Sequence, residues 1–410
     1  MENPKIRFKG YTKDWEQRKL GDMGSTFTGL SGKTKEDFGH GDAQFITYMN
    51  VFSNPVANIE MTEAVEIDAK QNRVKKGDVF FTTSSETPEE VGMSCVMPEN
   101  KDNIYLNSFC FGYRPTEKFD LDYLAYVLRA DSFRKEMKFL AQGISRYNIS
   151  KNKVMEVSIP IPNLEEQTMV GRYFSTLDHL ITLHQRKCEQ TKKLKKYMLQ
   201  KMFPQNGAKV PEIRFDGFTY DWEQRKLIDY LEVSSEKNRD NRFTKEDVLS
   251  VSGEYGIVNQ IEFQGRSFAG ASVSNYGVVE NGDVVYTKSP LKSNPYGIIK
   301  TNKGIPGIVS TLYAVYKPKE ITDSKFVQIY FELDFRMNSY MHPLVNKGAK
   351  NDMKVSAENA LKGMVSFPKK DEQEMISLYF STLDNLITLH QRKCDELKKM
   401  KKYMLQNMFI

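Results

Sequence analysis

Residues 173–188 (YFSTLDHLITLHQRKC) return almost unchanged as residues 379–394 (YFSTLDNLITLHQRKC). The match resumes with KKYMLQKMF at residues 195–203, which returns as KKYMLQNMF at residues 401–409. Blocks of this length do not match by chance, so the chain contains two copies of one unit. This duplication determines how the rest of the sequence is interpreted.

A second block is also repeated, since IRFKGYTKDWEQRKL at residues 6–20 returns as IRFDGFTYDWEQRKL at residues 213–227. Between the shared blocks lie two stretches, residues 21–163 and 228–370, that differ in sequence but keep a common skeleton. The correspondences are GDVFFTTSS (77–85) with GDVVYTKSP (282–290), Gly92 with Gly297, and FGYRPTEKFD (111–120) with AVYKPKEITD (314–323). Fixed supports under different exposed residues are typical of two recognition modules of different specificity.

The second shared block predicts a long helix. Residues 165–203 contain no proline, and their one glycine is Gly171. Residues suited to a helix–helix seam recur at steps of three and four, which is typical of a coiled coil. The two seams are Leu177, Ile181, His184, Cys188, Thr191, Met198 and Met202, and Leu383, Ile387, His390, Cys394, Leu397, Met404 and Met408. Each helix would be about 55–60 Å long at 1.5 Å per residue. We expect the two seams to pack together. If they run antiparallel, a pseudo-two-fold axis relates the copies and the variable domains lie at opposite ends.

The variable stretches predict a mixed α/β (α+β) fold, each a curved, mostly antiparallel sheet with helices. Short runs rich in β-branched and aromatic residues predict strands at residues 44–52, 78–83, 105–114 and 157–162. Residues 120–141 have apolar residues at helical spacing after an acidic start, so they predict one helix, with a counterpart at residues 322–341.

The complete chain is predicted to consist of six segments. They are a shared segment (1–20), a variable domain (21–163), a long helix (164–204), a linker with the second shared segment (205–227), a second variable domain (228–370) and a second long helix (371–410).

Composition limits the class of protein. The 410 residues are enough for two or three domains, and 40% hydrophobic with 27% charged residues is normal for a globular protein. No apolar run approaches the roughly 20 residues of a membrane span, and the N-terminus has no apolar signal core. The four cysteines have no CxxC spacing, so we expect a reduced cytoplasm. The net charge of +6 is a mild bias toward polyanions.

The sequence contains motif fragments but no catalytic constellation. Gly32-Lys33-Thr34 resembles the end of a phosphate-binding loop, yet Phe27 occupies the position of its first glycine and no predicted strand precedes it. Asn294-Pro295-Tyr296 lacks one proline of the Asn-Pro-Pro-aromatic motif of amino methyltransferases. We therefore expect neither catalysis nor a cofactor in this chain.

Two His–Cys pairs allow a metal as an alternative. His184 with Cys188, and His390 with Cys394, each lie four residues apart on one helix face. Antiparallel packing could bring the four together as a Cys2His2 zinc site. The alternative, which we favour, is that these small polar residues fix the register of the seam.

The combination of repeats resembles the specificity subunit of a Type I restriction-modification enzyme. The resemblance covers essentially the whole chain. It depends on Asp14-Trp15-Glu16-Gln17 and its copy, on Glu166-Gln167, on the FSTLD motif at residues 174–178 and its copy, and on their order around a variable domain.

The resemblance implies a DNA-recognition subunit without catalysis. Each variable domain would be a target-recognition domain that binds half of a bipartite double-stranded DNA target. The shared helices would bind two modification subunits, which methylate adenine using S-adenosylmethionine, and the same platform would recruit restriction subunits. The corresponding partner-binding residues are Phe174, Leu177, Leu180, Phe380, Leu383 and Leu386. An alternative is a two-domain scaffold that binds only proteins.

Two clusters in each variable domain are candidates for DNA contact. They combine hydroxyl and amide groups, which contact base edges, with cations, which contact phosphates. In the first domain they are Thr82, Thr83, Ser84, Ser85 and Glu86, and Arg146, Tyr147, Asn148 and Lys151. In the second they are Thr287, Lys288, Ser289, Lys292 and Asn294, and Lys347, Lys350, Asn351 and Lys354. An ordinary polar loop is the alternative for any single residue. Recognition domains related by a two-fold axis contact half-sites roughly 34–36 Å apart, and the helices are a suitable spacer.

The second half of each long helix is basic. The residues are Arg186, Lys187, Lys192, Lys193, Lys195, Lys196 and Lys201, and Arg392, Lys393, Lys398, Lys399, Lys401 and Lys402. They are either a solvated face near a helix C-terminus or contacts for spacer phosphates or acidic partner surfaces.

Overall fold

The computed structural model describes residues 3–205, 207–288, 294–347 and 353–409, with the backbone alone at residues 346–347 and 353–354. The chain forms two compact units. The first unit comprises residues 1–186 and 391–410, and the second comprises residues 187–390.

The first unit begins with β strands and ends on a long helix. Its strands are β1 (Glu16–Lys19), β2 (Gly24–Thr28), β3 (Phe38–Ile46), β4 (Thr62–Val65), β5 (Val79–Thr82), β6 (Ser84–Ser85), β7 (Ser94–Val96), β8 (Ile104–Leu106), β9 (Cys110–Pro115), β10 (Tyr147–Asn148) and β11 (Ser158–Ile161). Its helices are α1 (Tyr48–Ser53), α2 (Leu121–Val127), α3 (Asp131–Leu140), α4 (Lys151–Met155) and α5 (Leu164–Lys201), of which residues 187–201 belong to the second unit.

These strands form several small sheets. The largest has four antiparallel strands in the order β2-β9-β5-β7. A second sheet has the order β4-β3-β8, in which β3 and β8 are parallel. Strand β1 of the shared segment pairs with β11 at the end of the variable domain, and β6 pairs with β10. The main core lies between the four-stranded sheet, α2, α3 and the long helices.

The second unit repeats this plan with a different outer sheet. Its strands are β12 (Glu223–Lys226), β13 (Leu231–Val233), β14 (Leu249–Ser252), β15 (Gly256–Asn259), β16 (Gly277–Val279), β17 (Val284–Thr287), β18 (Ile299–Thr301), β19 (Gly307–Val309), β20 (Tyr313–Pro318), β21 (Asn346–Lys347), β22 (Met353–Lys354) and β23 (Met364–Phe367). Its helices are α6 (Gln260–Gln264), α7 (Ser324–Tyr330), α8 (Asp334–Met341), α9 (Ala357–Ala360) and α10 (Lys370–Asn407), of which residues 391–407 belong to the first unit. The four-stranded sheet has the order β13-β20-β17-β18, and β12 pairs with β23 as β1 pairs with β11.

Within each unit the two long helices pack antiparallel. In the first unit the start of α5 contacts the end of α10, where Phe174 stacks on Phe409 with ring centroids 5.5 Å apart. Lys401 donates to Asp178 at 2.6 Å. In the second unit Lys195 donates to Asp384, also at 2.6 Å. The predicted antiparallel coiled coil and mixed α/β class are confirmed.

The glutamine of the repeated Glu-Gln pair joins each long helix to its variable domain. Gln167 accepts from the backbone N–H of Asp120 at 3.1 Å and donates to the carbonyl of Pro162 at 2.9 Å. Gln373 accepts from the N–H of Asp323 at 2.9 Å and donates to the carbonyl of Pro368, also at 2.9 Å. Both side chains are buried, so the repeated motif is a structural anchor.

Two strand predictions are corrected. The predicted strand at 44–52 ends at Ile46, because Thr47 caps α1 by accepting from the N–H of Asn50 at 3.2 Å. The run 105–114 forms two strands, since Asn107 turns the chain by accepting from the N–H of Phe109 at 2.8 Å. Strands at 78–83 and 157–162 are confirmed as β5 and β11.

The predicted helix at 120–141 is two helices, α2 and α3, and residues 322–341 are likewise divided into α7 and α8. In the first unit Arg129 lies in the break. Its guanidinium donates to the carbonyls of Val51, Phe52 and Asn54 at the end of α1, at 2.8–3.1 Å. A continuous helix would not direct this side chain to those carbonyls. Burial lowers the pKa of Arg129 to about 10. No helix within the described residues combines the length and apolar character needed to cross a membrane.

Candidate nucleic-acid interface

The two predicted clusters of the first variable domain lie side by side. Tyr147 pairs with Ser85 and Asn148 pairs with Ser84 in the β6–β10 ladder. The N–H of Ile149 then donates to the carbonyl of Thr83 at 3.0 Å. This short antiparallel ladder thus brings together two clusters that are distant in sequence.

Arg146 lies at the edge of this ladder. One terminal nitrogen of its guanidinium donates to Ser84 Oγ at 3.1 Å. The carbonyl of Ser84 in turn accepts from the hydroxyl of Tyr48 at 2.8 Å. Burial raises the pKa of Tyr48, so this hydroxyl keeps its proton and remains a donor at neutral pH.

A cleft of about 460 Å³ opens between α1 and the β6–β10 ladder. We call it the Arg146 cleft. Its lining residues are Tyr48, Met49, Phe52, Ser84, Ser85, Glu86, Glu90, Ser145 and Arg146. The rings of Tyr48 and Phe52 stack with centroids 6.1 Å apart and form the apolar wall, and Met49 is 54% exposed.

The threonines of the first cluster support the loop from inside. Thr82 is buried, and its hydroxyl accepts from the N–H of Met93 at 3.0 Å. Thr287 is buried in the same way and accepts from the N–H of Ile298 at 2.8 Å. Their side chains are therefore not on the surface of their units. Thr83 is half-buried and donates to the carbonyl of Phe109 at 2.8 Å.

The remaining residues of the second cluster lie at the surface. Asn148 is exposed, and its backbone is fixed by two hydrogen bonds with Gln142 at 2.8 and 2.9 Å. Lys151 is exposed at the start of α4. Tyr147 is half-buried. Of this cluster, Arg146 lines the cleft, whereas Asn148 and Lys151 are exposed in and after the adjoining strand β10.

The second variable domain presents a different set of charges. Lys288 is half-buried, and its pKa is lowered first by burial and then by the positive charge of Lys237. Glu358 acts in the opposite direction on the same ammonium group. Asn294 is buried and donates to Asp334 at 2.9 Å, so it supports the fold.

Part of the predicted set in this domain has no described side chain. Lys347 and Lys354 lie in the backbone of the antiparallel β21–β22 pair. Ser289, Lys292, Lys350 and Asn351 lie outside the described residues.

The residues predicted to bind partners divide into two groups. Phe174, Leu177, Phe380 and Leu383 are buried in the cores of their own units. Leu180 is half-buried, and Leu386 is 39% exposed. The apolar positions that do reach the surface next to them are Leu183, 36% exposed, and Leu389, 50% exposed. A helical seam and an outer apolar stripe give the same sequence signal, which is why sequence alone did not separate them.

The basic halves of the long helices are mostly exposed. Lys195 and Lys401 are exceptions, because they make the ion pairs between the helices. Of the other residues, Lys192 bonds Glu189 at 3.2 Å and Lys393 approaches Glu396 at 3.5 Å along the same helix. The remaining cations include Arg186, Lys187, Lys193, Lys196, Lys398, Lys399 and Lys402, all exposed.

Within the part of the chain that the structure describes, no group of three or more His, Cys, Asp or Glu side chains is arranged to hold a metal ion. Cys188 is buried, and its thiol donates to the carbonyl of Ile387 at 3.9 Å in the second unit. This contact is of the kind expected of a seam residue.

Sequence reasoning missed the contribution of α1 to the cleft. Tyr48, Met49 and Phe52 were assigned to a strand, because an apolar and aromatic run of this length fits both structures. The signal that could have identified the helix is Thr47, a preferred N-cap residue.

Comparison with known proteins finds similarity to specificity subunits of type I restriction-modification systems. Residues 12–193 match the family model of the type I restriction modification DNA specificity domain. The putative type I restriction enzyme MjaX specificity subunit of Methanocaldococcus jannaschii is 25% identical, over 96% of this chain and 92% of that protein. The MjaIX specificity subunit of the same organism is 24% identical over 56% of this chain and 54% of that protein. The crystal structure of the S subunit of a Type-I restriction-modification system from M. genitalium has a TM-score of 0.61 and 14% identity, covering 100% of this chain and 99% of that one, which shows a common fold.

Proposed function

We propose that this chain is a specificity subunit of a type I restriction-modification system, which binds a bipartite DNA target and directs modification and restriction subunits to it; the family-model match over residues 12–193 and the similar specificity subunits support this proposal. As a specificity subunit it is a DNA-recognition protein without catalysis of its own. Its proposed ligand is DNA, so we assign its action to the cytoplasm.

One observation supports this proposal most strongly. In the first domain, two polar clusters that are far apart in sequence meet at the Arg146 cleft, on a scaffold whose supports are repeated in the second domain. Hydroxyl, amide and guanidinium groups held in fixed positions are the groups that hydrogen-bond to base edges in direct recognition. We propose that residues 21–163 recognise one half of the target and residues 228–370 the other.

We also propose that each unit binds one modification subunit through its own outer leucines. Leu183 in the first unit and Leu389 in the second occupy equivalent positions of the repeat, and both are exposed. Leu180 and Leu386 lie one helical turn earlier on the same helices. The duplication of this apolar stripe supports two modification subunits per chain.

The decisive experiment exchanges residues 21–163 for the corresponding domain of another specificity subunit. Sequencing of methylated adenines in DNA exposed to the assembled complex should show that one half of the target changes and the other half stays. A change in both halves, or in neither, would contradict independent recognition.

Two further measurements separate this function from its alternatives. The purified chain with S-adenosylmethionine and DNA should transfer no methyl group until modification subunits are added. Its affinity for DNA should fall steeply as salt rises, because phosphate neutralisation releases counterions. A flat salt response would favour a scaffold that binds only proteins.

A further inference from the structure

The charges in the Arg146 cleft are unlike those of a phosphate-binding surface. Arg146 is the single cation of its lining, whereas Glu86 and Glu90 contribute two carboxylates. Phosphate contacts depend on an excess of Lys and Arg over acidic groups. Two carboxylates beside one guanidinium repel a phosphate, so the cleft suits a ligand that offers both hydrogen-bond acceptors and donors.

The guanidinium is oriented but not saturated. Arg146 uses one terminal nitrogen for Ser84 Oγ, at 3.1 Å. Among the residues that the structure describes, its guanidinium makes no other hydrogen bond. A guanidinium has five N–H donors in a planar fork, so the fork keeps donors for a pair of acceptors. Ser84 is itself buried and bonded to Tyr48, which fixes the direction of the fork.

The carboxylates are equally available. Glu90 accepts from Ser85 Oγ at 3.2 Å and is exposed. Glu86 is exposed and has no hydrogen-bond partner within the described chain. An ionised carboxylate only accepts, so each needs a donor from the ligand. In the major groove, cytosine N4 supplies such a donor, and guanine O6 and N7 supply the pair of acceptors that an arginine fork fits.

We propose that the Arg146 cleft recognises a G·C base pair of the first half-site from the major groove. Arg146 donates to O6 and N7 of guanine, and Glu86 or Glu90 accepts from N4 of the paired cytosine. This inference rests on the proposed function, because it presumes that residues 21–163 contact one half of the target.

The second domain differs from the first near this position, which supports the assignment of the G·C base pair to the first half-site alone. At the position equivalent to Thr83 it has Lys288, whose ammonium group is affected by the charges of Lys237 and Glu358. The second domain therefore carries a cation at a position where the first domain has a neutral threonine. The two domains should recognise different bases.

The test compares complexes assembled with wild-type chain, with Arg146→Gln, and with the double variant Glu86→Gln and Glu90→Gln. Methylated sites are mapped by sequencing, and the first half-site is identified by exchange of residues 21–163. In wild type, one position of that half-site should be G·C in every methylated site. Arg146→Gln should relax this position by about 5- to 150-fold and leave the other half-site unchanged.

Lys151→Gln is the matched control, since it removes an exposed cation of the same cluster. It should weaken binding to all sequences alike and reduce the salt dependence, without relaxing any base position. The double carboxylate variant should relax the same base position as Arg146→Gln. Glu86 and Glu90 are exposed, so this variant tests the inference even if Arg146→Gln fails to fold.

Three results would overturn the inference. One is a first half-site with no invariant G·C pair. Another is an Arg146→Gln complex that weakens all sequences equally, which would make Arg146 a phosphate contact. The third is a folded carboxylate variant with unchanged selectivity. In each case exchange of residues 21–163 would still move one half-site, so the proposed function would stand. If that exchange moved neither half-site, the proposed function itself would fail.

Discussion

Replacing Glu166 by alanine should destabilise the first unit by about 3 kcal/mol. Glu166 is 1% exposed and accepts from Arg7 at 2.6 and 2.9 Å and from the indole N–H of Trp15 at 3.1 Å. The hydrogen bond to this carboxylate raises the pKa of Arg7. Removing one partner of a buried ion pair costs about 3–5 kcal/mol, because the other charge loses its compensation.

The remaining partners of each arginine determine where in the range of about 3–5 kcal/mol the substitution of Glu166 or Glu372 should fall. Without Glu166, Arg7 keeps the carbonyl of Lys13 at 2.6 Å and Asn3 Oδ1 at 2.9 Å, which favours the lower end. In the second unit, Arg214 pairs with Glu372 at 2.7 Å. Without that carboxylate, Arg214 would keep only the carbonyl of Tyr220 among the described residues. Glu372→Ala should therefore cost more, about 4–5 kcal/mol.

The chain provides its own probes for this comparison. Its two tryptophans, Trp15 and Trp222, occupy equivalent buried positions, one in each unit. Urea titrations followed by Trp15 fluorescence in a Trp222→Phe background report on the first unit, and Trp15→Phe isolates the second. With an m-value of about 2–3 kcal/mol per molar, Glu166→Ala should lower the Trp15 midpoint by roughly 1–1.5 M.

The matched control for this measurement is Glu165→Ala, which removes a neighbouring exposed carboxylate at the start of α5. Its effect should stay within about 0.5 kcal/mol. Equal midpoint shifts for Glu165→Ala and Glu166→Ala would refute the argument from burial. A smaller effect for Glu372→Ala than for Glu166→Ala would refute the argument from residual partners.

Three other predictions follow from burial and backbone geometry. Gly297→Ala should destabilise the second unit, since the new Cβ would lie 1.9 Å from the carbonyl oxygen of Thr287 in β17, at a φ of +80°. At Gly92 the nearest atom to a new Cβ is a methionine sulfur at 3.2 Å, so the loss of the urea midpoint should be larger for Gly297→Ala than for Gly92→Ala. Lys300 is 9% exposed, and burial lowers its pKa. The unfolded chain therefore holds this proton to higher pH than the folded chain, so stability rises with pH between the lowered pKa and about 10.4. Lys300→Met should raise the urea midpoint at pH 7 by an amount equivalent to about 1 kcal/mol, and the gain should shrink toward pH 10; a gain that grows with pH would contradict this sign. On the proposed stoichiometry of two modification subunits per chain, Leu183→Glu should leave one bound, as measured by light scattering, and adding Leu389→Glu should abolish binding. Full occupancy in the double variant would place the partner elsewhere.

The sequence predicted the parts of the fold that depend on periodicity and repetition. The long helices, their seams and strands β5 and β11 follow from local pattern, and the structure confirms them. The break between α2 and α3 was not predictable, because it is fixed by the contact of Arg129 with the end of α1. That contact joins residues far apart in sequence, and no local pattern encodes it.

The candidate site also depends on contacts between distant residues, which the local sequence pattern does not predict. Both clusters of the first domain were identified from composition and position, but their meeting at β6 and β10 depends on tertiary pairing. Buried Thr82 and exposed Asn148 are equally polar in sequence. Only the packing of β5 distinguishes the supporting hydroxyl of Thr82 from the exposed amide of Asn148.

The way in which the shared helices hold the variable domains explains how two unlike domains fit one scaffold. Gln167 and Gln373 contact their domains through backbone N–H and carbonyl groups, and β1 and β12 pair with β11 and β23 through the main chain. Such contacts require a backbone path and no particular side chain. A domain can therefore change its surface residues, and with them its DNA contacts, while its attachment to the helix stays the same. The exchange of residues 21–163 should accordingly yield a folded chain when the incoming domain also keeps the side chains that pack on the helices. One of these is Tyr126, whose hydroxyl donates to Asp178 at 2.7 Å and whose ring centroid lies 5.2 Å from that of Phe174.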